Sequence, residues 1–100
     1  MVDRRIEVPA RSGIVSFDGR VLEHFTRRGA ERSERIHAAH VLSARVLDDG
    51  KGDPVLDVEY ADRGHLTVAF DPRHRETMDQ LAGSVRSAAD TIDPDLRPGP

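Results

Sequence analysis

The fold turns on one stretch, Ala30-Glu-Arg-Ser-Glu-Arg-Ile-His-Ala-Ala-His-Val-Leu-Ser-Ala-Arg-Val-Leu47. Read with a period near 3.6, Ile36, Ala39, Ser43, Val46 and Leu47 lie on one stripe of a helix. Read with a period of two, the same residues divide into a short strand, Arg35 to Val41, and a longer one, Ser43 to Leu47, running into the turn Asp48-Asp-Gly-Lys-Gly-Asp53. The first reading makes a β-β-α-β-β-α domain. The second makes a mainly β domain with one helix at its end, and periodicity alone leaves both open.

Downstream the pattern is unambiguous. Leu56, Val58 and Tyr60 alternate with Asp57 and Glu59, and Leu66, Val68 and Phe70 repeat the alternation after Ala61-Asp-Arg-Gly64. Period-two runs on either side of a turn predict an antiparallel hairpin. Asp71-Pro72 then supplies an N-cap and a proline in the first helical turn, where its missing N–H costs nothing. Met78, Leu81, Ala82, Val85, Ala88, Ala89 and Ile92 recur at helical spacing, so a helix is expected over 72–92, with Arg75, Asp79, Arg86 and Asp90 turned outward. Asp93-Pro94 ends it, and the proline-rich 93–100 reads as a flexible tail.

Upstream, Ile14-Val-Ser-Phe17 and Val21-Leu-Glu-His-Phe-Thr26 flank Asp18-Gly19, a strong hairpin signal, and Phe17 and Phe25 are the expected core aromatics. Ile6-Glu-Val8 reads either as an edge strand ahead of Pro9 or as part of a flexible arm over 1–13. One domain is expected over 14–92.

Composition removes several classes of function. The 100 residues contain no cysteine, so disulfides, thiolate metal sites and cysteine nucleophiles are excluded, and a reducing, cytoplasmic setting is expected. The N-terminus lacks the roughly 7–15 apolar residues of a signal peptide, and no run is long enough for a membrane span. The net charge of -3 argues against a nucleic-acid binder. Of the 15 basic residues all but Lys51 are arginine, a bias that lowers the weight of any single one.

Catalytic patterns are equally absent. There is no G-x-S-x-G elbow, since Ser84 sits in Ala-Gly-Ser-Val-Arg, and neither phosphate-binding glycine loop occurs. His37 and His40 would share one face of a helix but not of a strand, and no H-E-x-x-H motif accompanies them. Asp48, Asp49 and Asp53 lack the ligand order of an EF-hand and read as a solvated turn. No metal site, cofactor or catalytic residue is expected. The one notable charge cluster is Arg27, Arg28, Arg32 and Arg35, interrupted by Glu31 and Glu34, whose guanidinium groups suit bidentate binding of a phosphate or an acidic peptide.

The succession "IVSFDGR-VLEHFTRRG", "RIHAAHVLSARVLDDG", "PVLDVEYADRG-HLTVAFD" and one amphipathic helix resembles the bacterial pleckstrin-homology-like domains over Ile14 to Ile92. The resemblance rests on the order of elements; residues 1–13 have no counterpart, and the tryptophan common in eukaryotic members is missing. It implies that the ambiguous stretch is two strands, and that six to seven strands form a bent, partly open antiparallel barrel or sandwich capped by the C-terminal helix. It also implies a non-enzymatic interaction module. A protein partner is the first expectation, taken up by strand addition at a barrel edge or in a groove beside the helix. An anionic lipid headgroup held by Arg27, Arg28, Arg32 and Arg35 is the second, and a homo-oligomer is compatible with either. The competing helical reading implies a small α+β ligand-binding or enzyme-like dimer, with His37 and His40 in a cleft.

Overall fold

A computed structural model describes residues 5–26, 32–48 and 50–91. Seven strands form two antiparallel sheets. The first is β1 (Ile6–Ala10), β2 (Gly13–Phe17), β3 (Val21–Thr26) and β4 (Arg32–His37), and the second is β5 (Val41–Leu47), β6 (Val55–Tyr60) and β7 (Gly64–Ala69), each in chain order. One helix, α1 (Arg75–Thr91), follows a single 3-10 turn at Pro72–His74. The sheets do not close on one another, so the architecture is a partly open sandwich of the expected mainly β kind.

The disputed stretch is two strands, and the helical alternative is wrong. Each half pairs with the neighbouring strand outside the stretch: β4 with β3, Leu22 opposite Ile36, and β5 with β6, Ala44 opposite Val58. A 3-10 turn, Ala38–His40, joins them. His37 caps that turn by accepting a hydrogen bond from the Ala39 N–H on Nδ1 at 3.0 Å, and the Ala38 N–H donates to the Arg20 carbonyl at 2.7 Å. The Ala61 N–H donates in turn to the His40 carbonyl at 2.9 Å, which ties the turn to the second sheet.

Local chemistry sets the other connections. Asp18 Oδ1 accepts from the N–H groups of Arg20 and Val21, both at 2.8 Å, and Gly19 takes the positive φ of 100° that the turn needs. Those two N–H bonds, Val21 first, hold the Asp18 carboxyl below its usual range. Ala61 to Arg63 close the second hairpin with Asp62 and Arg63 both left-handed. Pro9 is tolerated because β1 is an edge strand of its sheet.

The first turn decides which face of β3 is inside. Phe17 pairs with Leu22, so the inward positions of β3 are Leu22 and His24, and Phe25 points outward and is 40% exposed. The expectation that Phe25 is a core aromatic is therefore corrected: an odd step along a strand reverses the face. Val8, Val15, Phe17, Leu22 and Ile36 line the first sheet, Leu56, Val58, Leu66 and Val68 the second, and Met78, Leu81, Val85 and Ala89 bring the apolar stripe of α1 onto the same core. Among the described residues no helix is long and apolar enough to cross a membrane.

His24 is the one buried histidine among the described residues. Its Nε2 lies 3.1 Å from Ser12 Oγ, while its buried Nδ1 has no partner. Burial pushes the imidazole below its ordinary value of 6.5, with Glu34 opposing weakly. Between the folded-state pKa and about 6.5 the unfolded chain binds a proton that the folded chain refuses, so this contribution to stability is complete above that window and declines as pH falls through it. Urea unfolding at pH about 7 and about 5 should show lower stability at the acid end. His24→Leu should flatten the difference, and an unchanged pH slope in that variant would show that the imidazole remains solvated.

Candidate functional site

Two surface depressions adjoin the second sheet. The first is a groove of about 260 Å³ between the open edge of β5 and the C-terminal half of α1, with Leu42, Ala44, Arg45, Arg86, Ala89 and Asp90 in its walls. β5 has β6 on one side only. The register of that pair slips between Val41 and Ser43, leaving Leu42 as the extra residue of a bulge with 70% of its surface exposed. The Ala44 carbonyl accepts a hydrogen bond from Arg86 Nη1 at 2.6 Å, so it points away from β6 and into the groove. Arg45 stands at the rim, its Nε 3.8 Å from Asp57 Oδ2. An open strand edge, an apolar side chain in water and two guanidinium groups beside one carboxylate, Asp90, thus share one groove.

The second depression, of about 560 Å³, lies among Arg35, His37, His40, Tyr60, Asp62 and Gly64. Here the structure brings Arg35 together with the two histidines of the alternative reading, although not on a helix. The imidazole centroids are 6.4 Å apart, and His37 already spends Nδ1 on the Ala39 N–H. Arg35 pairs with Glu23 at 3.5 Å, and Asp62 adds a second carboxylate to the surroundings, so little net positive charge remains there. Of the expected anion-binding set, Arg27 and Arg28 lie outside the described residues. Arg32 opens β4 opposite Thr26, with its side chain also outside them.

The aspartates of the β5–β6 loop are engaged by arginines. Arg11 holds Asp53 with two bonds, at 2.7 and 3.0 Å, which lowers that carboxyl, and Arg75 holds Asp48 at 2.7 Å; Asp49 lies outside the described residues. Sequence reasoning passed over the wall of the groove, because Leu42 and Ala44 belong to the ambiguous stretch and Arg86 reads as one more solvated residue of the helix. The chain matches no protein-family model, and neither a curated protein nor a solved structure resembles it significantly.

Proposed function

We propose that this chain is a binding module of pleckstrin-homology-like architecture, whose β5–α1 groove takes an extended segment of a protein partner carrying an acidic residue beside an apolar one. Four strands, then three, then a covering helix support the architectural reading. The observation that carries the functional reading is the Arg86 contact with the edge carbonyl of Ala44. A carboxylate on the incoming segment offers Arg86 an ion pair in place of a bond to an uncharged carbonyl, and the released carbonyl receives a backbone N–H of the segment. Every polar group that changes partner is satisfied again. Leu42 and Ala89 supply the apolar contact, and Arg45 and Arg86 the charge.

Peptides selected from a random library on the labelled protein provide the test. The expected winners pair Asp or Glu with an aliphatic residue and shift the amide signals of 41–46 and 86–90. Leu42→Asp and Arg86→Gln should each weaken them about tenfold, a loss of roughly 1.4 kcal/mol. Selected peptides that shift other residues, or a failure to select any, would overturn the groove reading. Vesicles containing a phosphorylated inositol lipid form the second arm. Binding of these, lost in the Arg27→Ala, Arg28→Ala, Arg32→Ala triple variant while 41–46 stay unmoved, would replace the peptide reading with an anionic headgroup held by the β3–β4 loop.

A further inference from the structure

We infer that the outer face of the second sheet holds a divalent transition-metal site built from Asp57, Glu59 and His65, with Zn²⁺ the ion its donors suit. Asp57 and Glu59 are two apart on β6 and so share a face, and His65 sits directly opposite Glu59 on β7. One ligand atom from each can be chosen so that all three lie within 4.8 Å of one another. Donors around a tetrahedral zinc at its usual bond lengths are roughly 3.3–3.6 Å apart, so side-chain rotation alone gathers them without moving the sheet. Among the described residues no other three such side chains converge in this way.

Two further observations set this group apart from a patch of surface acids. The first is Asp57, which occupies the solvent side of a sheet yet has only 8% of its side chain exposed. It is enclosed by three side chains of the flanking strands: Arg45 from β5, and Thr67 and His65 from β7, with Thr67 Oγ1 at 3.3 Å and His65 Nε2 in direct contact with Oδ1. The second is Ser43, opposite Glu59 on β5, whose hydroxyl is buried without any hydrogen-bond partner. It is an oxygen donor with no present use, in the same cross-strand row as Glu59 and His65.

The donor set selects the ion. One imidazole nitrogen with two carboxylate oxygens suits zinc or its spectroscopic substitute cobalt, whereas calcium and magnesium demand six or more oxygens that this face does not offer. Zn²⁺ takes the place of the proton between His65 Nε2 and Asp57 Oδ1; water carries that proton away while Nδ1 takes one up, so the imidazole binds the ion in its neutral form. Glu59 and His65 are exposed, so the ion enters from water, and the Arg45 guanidinium swings off Asp57 on a side chain that is 58% exposed. Three protein donors leave one position for water, for the Ser43 hydroxyl or for a donor brought by another molecule.

Calorimetric titration with zinc chloride and optical titration with cobalt chloride test the site on the intact chain. Stoichiometric, saturable binding and the visible absorption of four-coordinate Co²⁺ are expected. His65→Gln and Glu59→Gln, both at exposed positions that leave the fold intact, should each weaken binding at least tenfold, whereas a His37→Gln, His40→Gln double variant should bind as the parent does. Absence of saturable binding would overturn the assignment. So would binding that survives His65→Gln, or that disappears in the double variant, since either result would place the metal elsewhere.

Discussion

Val85→Asp is expected to abolish cooperative unfolding and the dispersed amide spectrum altogether. Val85 is fully buried under α1, between the Leu81–Ala82 turn and Ala89, where the helix packs on β5, β1 and β2. Replacing it loses the burial of a valine and sets a carboxylate, charged or protonated, among apolar atoms with no donor in reach. The combined cost is about 4–7 kcal/mol, against about 5–15 kcal/mol for the whole stability of an ordinary domain. Thermal melting followed by circular dichroism checks this beside Ser87→Asp, on the exposed side of the same helix, which should melt within about 0.5 kcal/mol of the parent. A parental melting temperature in Val85→Asp would mean that α1 presents a different face to the sheets.

Gly13→Ala should be the second most damaging change, at about 3 kcal/mol. A β-carbon at Gly13 would sit 1.7 Å from the carbonyl oxygen of Phe25 and 2.8 Å from its carbonyl carbon. Both are main-chain atoms of β3, so relief requires moving the strand, and the β2–β3 ladder would part at the Gly13–Thr26 pair. Gly19→Ala, by contrast, meets nothing within 4 Å and carries only the strain of a positive φ, about 1 kcal/mol. Denaturant midpoints of the two variants decide it. If Gly19→Ala proved the worse, strand approach would not be what demands a glycine at position 13.

That ranking reverses what the sequence suggests, and the reversal marks where legibility ends. Asp18-Gly19 and Asp71-Pro72 declare themselves because their chemistry is local: the aspartate oxygen bonds an N–H two or three residues on, wherever the rest of the chain goes. Gly13 matters only because β3 passes close by, and close approach of a second strand leaves no mark at the residue itself. Residues 30–47 were ambiguous for the same reason, since both periods fit and the choice is made by β3 and β6. Phe25 shows the limit of reading hydrophobicity before register. The turn at Asp18 counts positions inward from Phe17 and assigns the buried place to His24, a polar residue that hydrophobicity alone would leave at the surface.

The surfaces follow the same rule. Arg86 and Ala44 are 42 residues apart in the chain, and no spacing motif connects them. Asp57, Glu59 and His65 were closer to legible, because two acids at strand spacing face a histidine across a short hairpin. The apolar half of the alternation declares the fold, however, whereas the polar half looks the same whether it faces water or a ligand. Charge clusters read along the chain, such as Arg27 to Arg35, mark neighbours in sequence, whereas the depressions of this fold assemble residues from separate elements of it.

The bond from Arg86 to Ala44 also bears on how the protein lives at high concentration. An edge strand with leucines in water, Leu42 and Leu47, is a template on which a second copy can stack strand to strand and begin an aggregate. Here the bulge at Leu42 breaks the regular spacing of that template, and a charged side chain lies across its free carbonyl. One arginine therefore keeps the sheet from growing by itself while leaving the edge open to a segment that brings its own carboxylate. Solubility and selectivity rest on the same hydrogen bond.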